Sequence, residues 1–214
     1  MALLAHTLED LIDFSAARRQ QHIEERYLTD GVNWQAYEAV LAKLGDRAGY
    51  RVSYLDGVLE IMAPSRRHEQ GKTHIGTLLE IYFVATNTTY FPMGSTTLRR
   101  EAQEAGVEPD ESYCLGSAKE FPDLAIEVVV TSGGLNRLAI YRRLDVPEVW
   151  FWQQERFTLY HLRADQPAGL HDTHGYAAIA RSELLPALDL ALLTACVRQS
   201  DPLTAAQTFR AGLG

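Results

Sequence analysis

A chain of 214 residues, 46% hydrophobic and 22% charged, is long enough to bury one sizeable core and has the make-up of an ordinary globular protein. Its formal net charge of −8 excludes a protein that coats nucleic-acid phosphates with its whole surface. No apolar run reaches the roughly 18 residues of a membrane span, so no membrane partner is expected.

The opening MALLAHTLEDLIDF turns acidic after four apolar residues, unlike a secretory signal. Cys114 and Cys196 have no ligand-like spacing and read as reduced thiols. A cytoplasmic location is expected from both. Positive charge is grouped into doublets, Arg18-Arg19, Arg66-Arg67, Arg99-Arg100 and Arg142-Arg143. Singly each reads as solvated surface; together they would suit the rim of an acidic, metal-binding centre.

Residues 1–30 read as an N-terminal helical arm, with Leu8, Leu11, Ile12 and Phe14 at helical spacing behind a capping Thr7, and residues 31–214 as the main domain. Asn33 caps a helix from Trp34 to Leu44, which Gly45 ends. In YRVSYLDGVLEIM two strand-like runs flank Asp56-Gly57, a two-residue turn that demands positive φ. After Pro64 the spacing predicts a long helix, Arg66 to Ala85, burying Ile75, Leu78, Leu79, Tyr82 and Phe83. Gly71 and Gly76 either weaken it or admit a close neighbour. Strands follow from Ser95, Gly133-Gly134 breaks the pattern, and LNRLAIYRRL is helical. VPEVWFW and RFTLYHL read as a hairpin, and PLTAAQTFRAGL as a final helix. The order lacks regular βα alternation. The expected fold is therefore α/β or α+β, with a central mixed sheet flanked by helices.

One residue stands out chemically. Glu127 lies inside the apolar run Leu124–Val130, where an unpaired carboxylate is expensive to bury. Asp123 shares its strand face but is four residues away, about 13 Å along an extended chain, and reads as an edge or cap residue. Asp110 ends a different segment, and adjacent strands lie only about 4.8 Å apart, so Asp110 can stand opposite Glu127 and share a cation with it. Facing carboxylates suit Mg²⁺ or Mn²⁺, which bind through one or two carboxylates plus water and substrate phosphate. The alternative is a buried acid neutralised by a nearby arginine.

The ordered set WQAYEAVLAKLG, SYLDGVLEIMAPSRRHE, GSTTLRR, GVEPDESY, PDLAIEVVVTSGG, NRLAIYRRLDVPEVWFW and SELLPALDL, spanning about Trp34 to Leu190, resembles the Uma-type family of restriction-endonuclease-like proteins, within the PD-(D/E)XK nuclease superfamily. The resemblance implies a restriction-endonuclease-like core and divalent-metal cleavage of phosphodiesters. It maps the family's Pro-Asp onto Pro109-Asp110 and its Glu-Val onto Glu127-Val128, and makes the Val128 carbonyl a further metal ligand. Two departures stand out. The superfamily's lysine position, two residues after the glutamate, holds Val129, and the position where the Uma-type family places a lysine, four before Tyr141, holds Arg137. Arginine steadies a phosphate but accepts no proton from water. Ala63 replaces the usual serine before Pro64, a change of little expected consequence.

Secondary candidates are Glu60, as a member of the metal cluster, a partner of Arg137 or a solvent-facing strand residue; His68, lining the cleft; and Lys72, one turn after His68, as a stand-in for the missing lysine. Glu38 reads as an exposed helix residue, and Trp150, Phe151 and Trp152 as core packing rather than a stacking platform. His161, His171 and His174 receive no role. The expected function is a Mg²⁺- or Mn²⁺-dependent DNA endonuclease with Asp110, Glu127 and Arg137 as its catalytic set. A homodimer is expected only because cutting both strands needs two sites. The alternative is a nuclease-fold protein that has lost catalysis and binds DNA or a protein partner.

Overall fold

The computed structural model describes residues 24–45, 49–164 and 170–213. Its elements follow from local sequence signals. Helix α1 (Trp34–Leu44) starts where the Asn33 side chain accepts the Ala36 N–H at 2.9 Å and stops at Gly45, whose φ is 52°. Strands β2 (Arg51–Leu55) and β3 (Val58–Ala63) pair across Asp56 and Gly57, whose φ values of 47° and 82° are those of a tight hairpin turn. That turn fixes the register and sets Ser53 opposite Glu60.

Strand β1 (Glu25–Thr29) adds to the far edge of β3. These five residues were expected at the end of the helical arm and are instead a strand of the sheet; residues 1–23 of the expected arm, with Arg18 and Arg19, lie outside the described residues. Strands β5 (Leu98–Arg100) and β6 (Ala105–Val107) complete an antiparallel sheet in the order β1-β3-β2-β6-β5.

The second sheet is mixed. It runs β11-β10-β9-β8-β7-β4, with β4 at Tyr90–Pro92, β7 at Glu111–Leu115, β8 at Leu124–Val129, β9 at Glu148–Gln153, β10 at Arg156–Leu162 and β11 at Tyr176–Ile179. Its one parallel pair, β8 with β9, is linked by a crossover carrying helix α3 (Arg137–Arg143). The fold is α+β, and the mixed sheet that the sequence predicts is this one. The chain also builds the separate antiparallel sheet.

Helix α2 (Arg66–Ala85) lies on one face of the mixed sheet, where Ile75, Leu78, Leu79 and Phe83 pack on Tyr113, Leu124, Ile126 and Trp150. Helices α4 (Leu190–Val197) and α5 (Pro202–Ala211) add Leu193 and Phe209 to that cluster. The other face is covered by α3, with Ile140, Tyr141 and Leu144 against Ala125 and Val149, and by Leu98 and Val107 from the antiparallel sheet. Strand β8 is therefore buried on both sides, which explains its continuous apolar run. A Cβ on Gly71 would sit 3.4 Å from the Val128 side chain, and one on Gly76 would sit 3.3 Å from the Glu111 carboxyl and the Tyr113 hydroxyl. The two helix glycines thus serve close approach of α2 to β7 and β8. Trp150 is fully buried, and Phe151 and Trp152 are half-buried beside it. Among the described residues no helix is long and apolar enough to cross a membrane.

Gly106 in β6 offers a test of this packing. A Cβ there would overlap the Tyr37 hydroxyl and approach its ring carbon Cζ to 2.7 Å, and Tyr37 is fully buried against Tyr54. Gly106→Ala is expected to destabilise by about 1–3 kcal/mol, the usual cost of overpacking a rigid core. Gly71→Ala, meeting ordinary contact inside a helix, should be neutral or stabilising by up to about 1 kcal/mol. Denaturant unfolding of the two variants checks both signs.

Candidate functional site

Antiparallel pairing of β7 with β8 sets Glu111 opposite Ile126 and Ser112 opposite Ala125, so the next pair along the ladder is Asp110 and Glu127. Asp110 is 1% exposed and Glu127 6%. The Val128 N–H donates to Asp110 Oδ2 at 2.7 Å, and His68 Nε2, from the first turn of α2, meets Asp110 Oδ1 at 2.7 Å. Glu127 Oε1 accepts the Tyr141 hydroxyl at 2.5 Å, while Oε2 faces Arg137 Nε at 3.7 Å. Asp123, by contrast, caps a turn: it accepts the Leu115 N–H and pairs with Lys119 at 2.6 Å.

Arg137 begins α3 and reaches between the two sheets. Its Nη2 contacts Glu60 Oε1 at 2.8 Å and its Nη1 donates to the Ser53 hydroxyl. Glu60 Oε2 accepts the Leu135 N–H at 2.8 Å and lies 3.4 Å from Arg26 Nη1. Of its candidate roles, Glu60 thus takes the arginine-holding one and is not solvent-facing, being 1% exposed. Behind His68, Glu24 Oε1 lies 3.6 Å from Nδ1, and Glu24 Oε2 accepts both the N–H and the hydroxyl of Thr131. Lys72 is drawn elsewhere, to Glu69 at 3.6 Å and toward Glu111. His68 joins the carboxylates; Lys72 does not.

These buried charges shift one another. Burial pushes the Glu127 carboxyl up to about 7, against the pull of Arg137 and the Tyr141 hydrogen bond, and the charge of Asp110 pushes the same way as burial. Burial would lower His68, but its contacts with Asp110 and Glu24 outweigh it and raise the imidazole to about 9. Glu24 is held below the usual carboxylate range: burial works against this, but His68, Thr131 and Arg26 prevail.

A cavity of about 330 Å³ opens beside this network, lined by His68, Glu127, Arg137 and Met62, with Phe151 and Tyr160 on its apolar side. Among the described residues no three His, Cys, Asp or Glu side chains converge on a point that could hold a metal ion. Two facing carboxylates offer instead an open arrangement of the kind that Mg²⁺ completes with water and substrate oxygens. Arg51 Nε stands a further 3.9 Å from Asp110 Oδ1, and a carboxylate oxygen that accepts one hydrogen bond still has a second lone pair to offer. Burial is the main reason that the Glu127 carboxyl is pushed up, and a divalent cation bound to it would offset that loss of solvation. The residues present fit such an ion.

A family model described as "Putative restriction endonuclease", Uma2, matches residues 34–193. The chain belongs to the Uma2 family. Comparison with curated proteins gives no match. The Uma2 match spans Asp110, Glu127, Arg137, Glu60, His68 and Lys72 and stops short of Glu24 and Arg26, which β1 and the residue just before it carry into the network from outside it. Those two were not found by sequence reasoning, and neither was Ser53. A signal for Ser53 existed, because the Asp56-Gly57 turn pairs it with Glu60.

Three outcomes are expected in metal-free protein. Imidazole NMR should find His68 cationic at neutral pH, titrating near 9, and Asp110→Asn should move that titration down. Because its folded value exceeds the ordinary 6.5, the stabilisation from His68, measured against His68→Gln, should be full below 6.5 and fade as pH passes through 9. Glu60→Ala, which leaves Arg137 buried without its closest carboxylate, should cost about 3–5 kcal/mol in denaturant unfolding.

Proposed function

We propose that this Uma2-family protein is a divalent-metal-dependent endonuclease that hydrolyses DNA phosphodiester bonds, with Asp110, Glu127 and the Val128 carbonyl as metal ligands. The observation that carries the reading is the facing pair Asp110 and Glu127, of which Glu127 lines the cavity together with Arg137, whose Nε lies 3.7 Å from it. Mg²⁺ or Mn²⁺ bound there would supply Lewis acidity and a more acidic attacking water.

The chain's own groups do the remainder. The His68 and Val128 N–H contacts hold Asp110 in one rotamer, and the Tyr141 hydroxyl holds Glu127. Water attacks phosphorus as the bond to the leaving sugar oxygen breaks, and negative charge spreads over the non-bridging oxygens. Arg137 is a fixed cation beside that charge and stabilises it electrostatically. Held by Glu60 and Glu127 as a permanent cation, it takes no proton. Arg137 therefore acts on the phosphate and not as a base.

A second reading is favoured by the same arginine. Its guanidinium is already committed to Glu60, Ser53 and Glu127, which leaves less of it for a phosphate and suits a family member that binds DNA or a protein partner with little or no cutting.

The readings separate in one set of assays. With supercoiled plasmid and Mg²⁺ or Mn²⁺, the nuclease should nick DNA, and Asp110→Ala and Glu127→Ala should each lower the rate by roughly 10³-fold or more, as losing a metal ligand or a major electrostatic group does. Equal nicking by wild type and variants would mark a contaminant and defeat the proposal. Mn²⁺ binding heat that Glu127→Ala abolishes, without cutting, would favour the second reading. New cutting by Arg137→Lys would place the defect at that residue.

A further inference from the structure

We propose that the groove on the α2 side of the β8 terminus binds a single-stranded segment of DNA and leads it to the cavity at Glu127; this rests on the nuclease reading. The groove has a volume of about 960 Å³ and lies between the first half of α2, the β9–β10 turn and the segment joining α4 to α5. Val128, Val129, Ser132 and Gln153 line both it and the smaller cavity, so the two meet at the end of β8.

Its charge is unlike that of the chain as a whole. Arg66, Arg67 and Arg198 are exposed on its walls, and among the described residues none of them pairs with a carboxylate. Arg198 commits only Nε, to the Glu155 carbonyl at 2.8 Å. Of the two acids in the lining, Glu69 is already engaged by Arg51 at 3.2 Å and by Lys72, which leaves Glu155 alone against three arginines. The doublets outside the groove differ: Arg99 pairs with Glu38, Arg100 and Arg142 with Asp145, and Arg143 with Asp56. In a chain of net charge −8, unpaired positive charge collects where a strand would leave the site.

The groove also has features that suit an unpaired strand. His74 Nε2 and Gln199 Oε1, both in its lining, are buried without a hydrogen-bond partner. Half-buried Trp152 borders the same space, its indole seated on Phe157 at 4.7 Å. A duplex turns its base faces inward, whereas a single strand can lay a base on an aromatic ring and offer base edges to the half-buried side chains of His74 and Gln199. Phosphates would meet the arginines while bases face Trp152, His74 and Gln199.

The test is fluorescence anisotropy with the full chain and EDTA present, so that nothing is cut. The probes are a labelled single-stranded DNA of roughly 16 nucleotides and the same sequence as duplex. The single strand should bind more tightly than the duplex. Replacing Arg66, Arg67 and Arg198 together by alanine should weaken it roughly tenfold or more. The same change should flatten the slope of log affinity against log salt by about 2, near 0.7 for each phosphate left without its arginine. Arg210→Ala, exposed on α5 away from the groove, should change neither value. All these positions are exposed, and matching thermal unfolding confirms that the variants fold. Tighter duplex binding, no binding by wild type, or an unchanged slope in the triple variant overturns the proposal. Groove-dependent binding without Asp110-dependent cutting defeats only the nuclease reading. Asp110-dependent cutting indifferent to the three arginines defeats only the groove.

Discussion

The bond from the Val128 N–H to the Asp110 carboxylate, with His68 on the other oxygen, ties together three parts of the chain that have no local reason to meet. It locks the end of β7 to β8, which brings Asp110 opposite Glu127, and it anchors the first turn of α2 over the ends of these two strands. A buried aspartate without these partners would carry a desolvation cost that the core could not offset. With them it becomes the fixed point from which the positions of Glu127, Arg137 and the adjoining groove follow.

Around that point the protein stores a compact set of opposed charges: Glu24, Glu60, Asp110 and Glu127 against Arg26, Arg51, Arg137 and His68. Such a set is a poor device for stability, since apolar residues of similar volume would do as well or better. It is a good device for holding side chains in defined places and for shifting their proton affinities, as functional sites require. The apolar clusters on both faces of the mixed sheet supply the stability that this network does not.

Much of this was readable from the residues. The Asp56-Gly57 turn, the Asn33 cap and the spacing of Ile75, Leu78, Leu79 and Phe83 each encode their element locally, and the separation between strands was enough to prefer Asp110 over Asp123. What escaped depends on long-range packing. Strand β1 is five residues with no periodic signal, so neither its place in the sheet nor the roles of Glu24 and Arg26 could be inferred. Glu60 looked as well suited to solvent as to a salt bridge because strand alternation separates inside from outside only when one face is wet, and β3 is covered on both. Lys72 shares a helix with His68, but the one-turn offset carries it to Glu69 and Glu111 instead of to the carboxylate pair.

The parallel pairing of β8 with β9 also restricts the chain's architecture. Two strands running the same way need a return path over the sheet, and here that path, Val130 to Pro147, carries Arg137 and Tyr141 on the helix that makes the return possible. Topology and chemistry are therefore written into one stretch of backbone. A shortening there would remove the link and the cavity wall together.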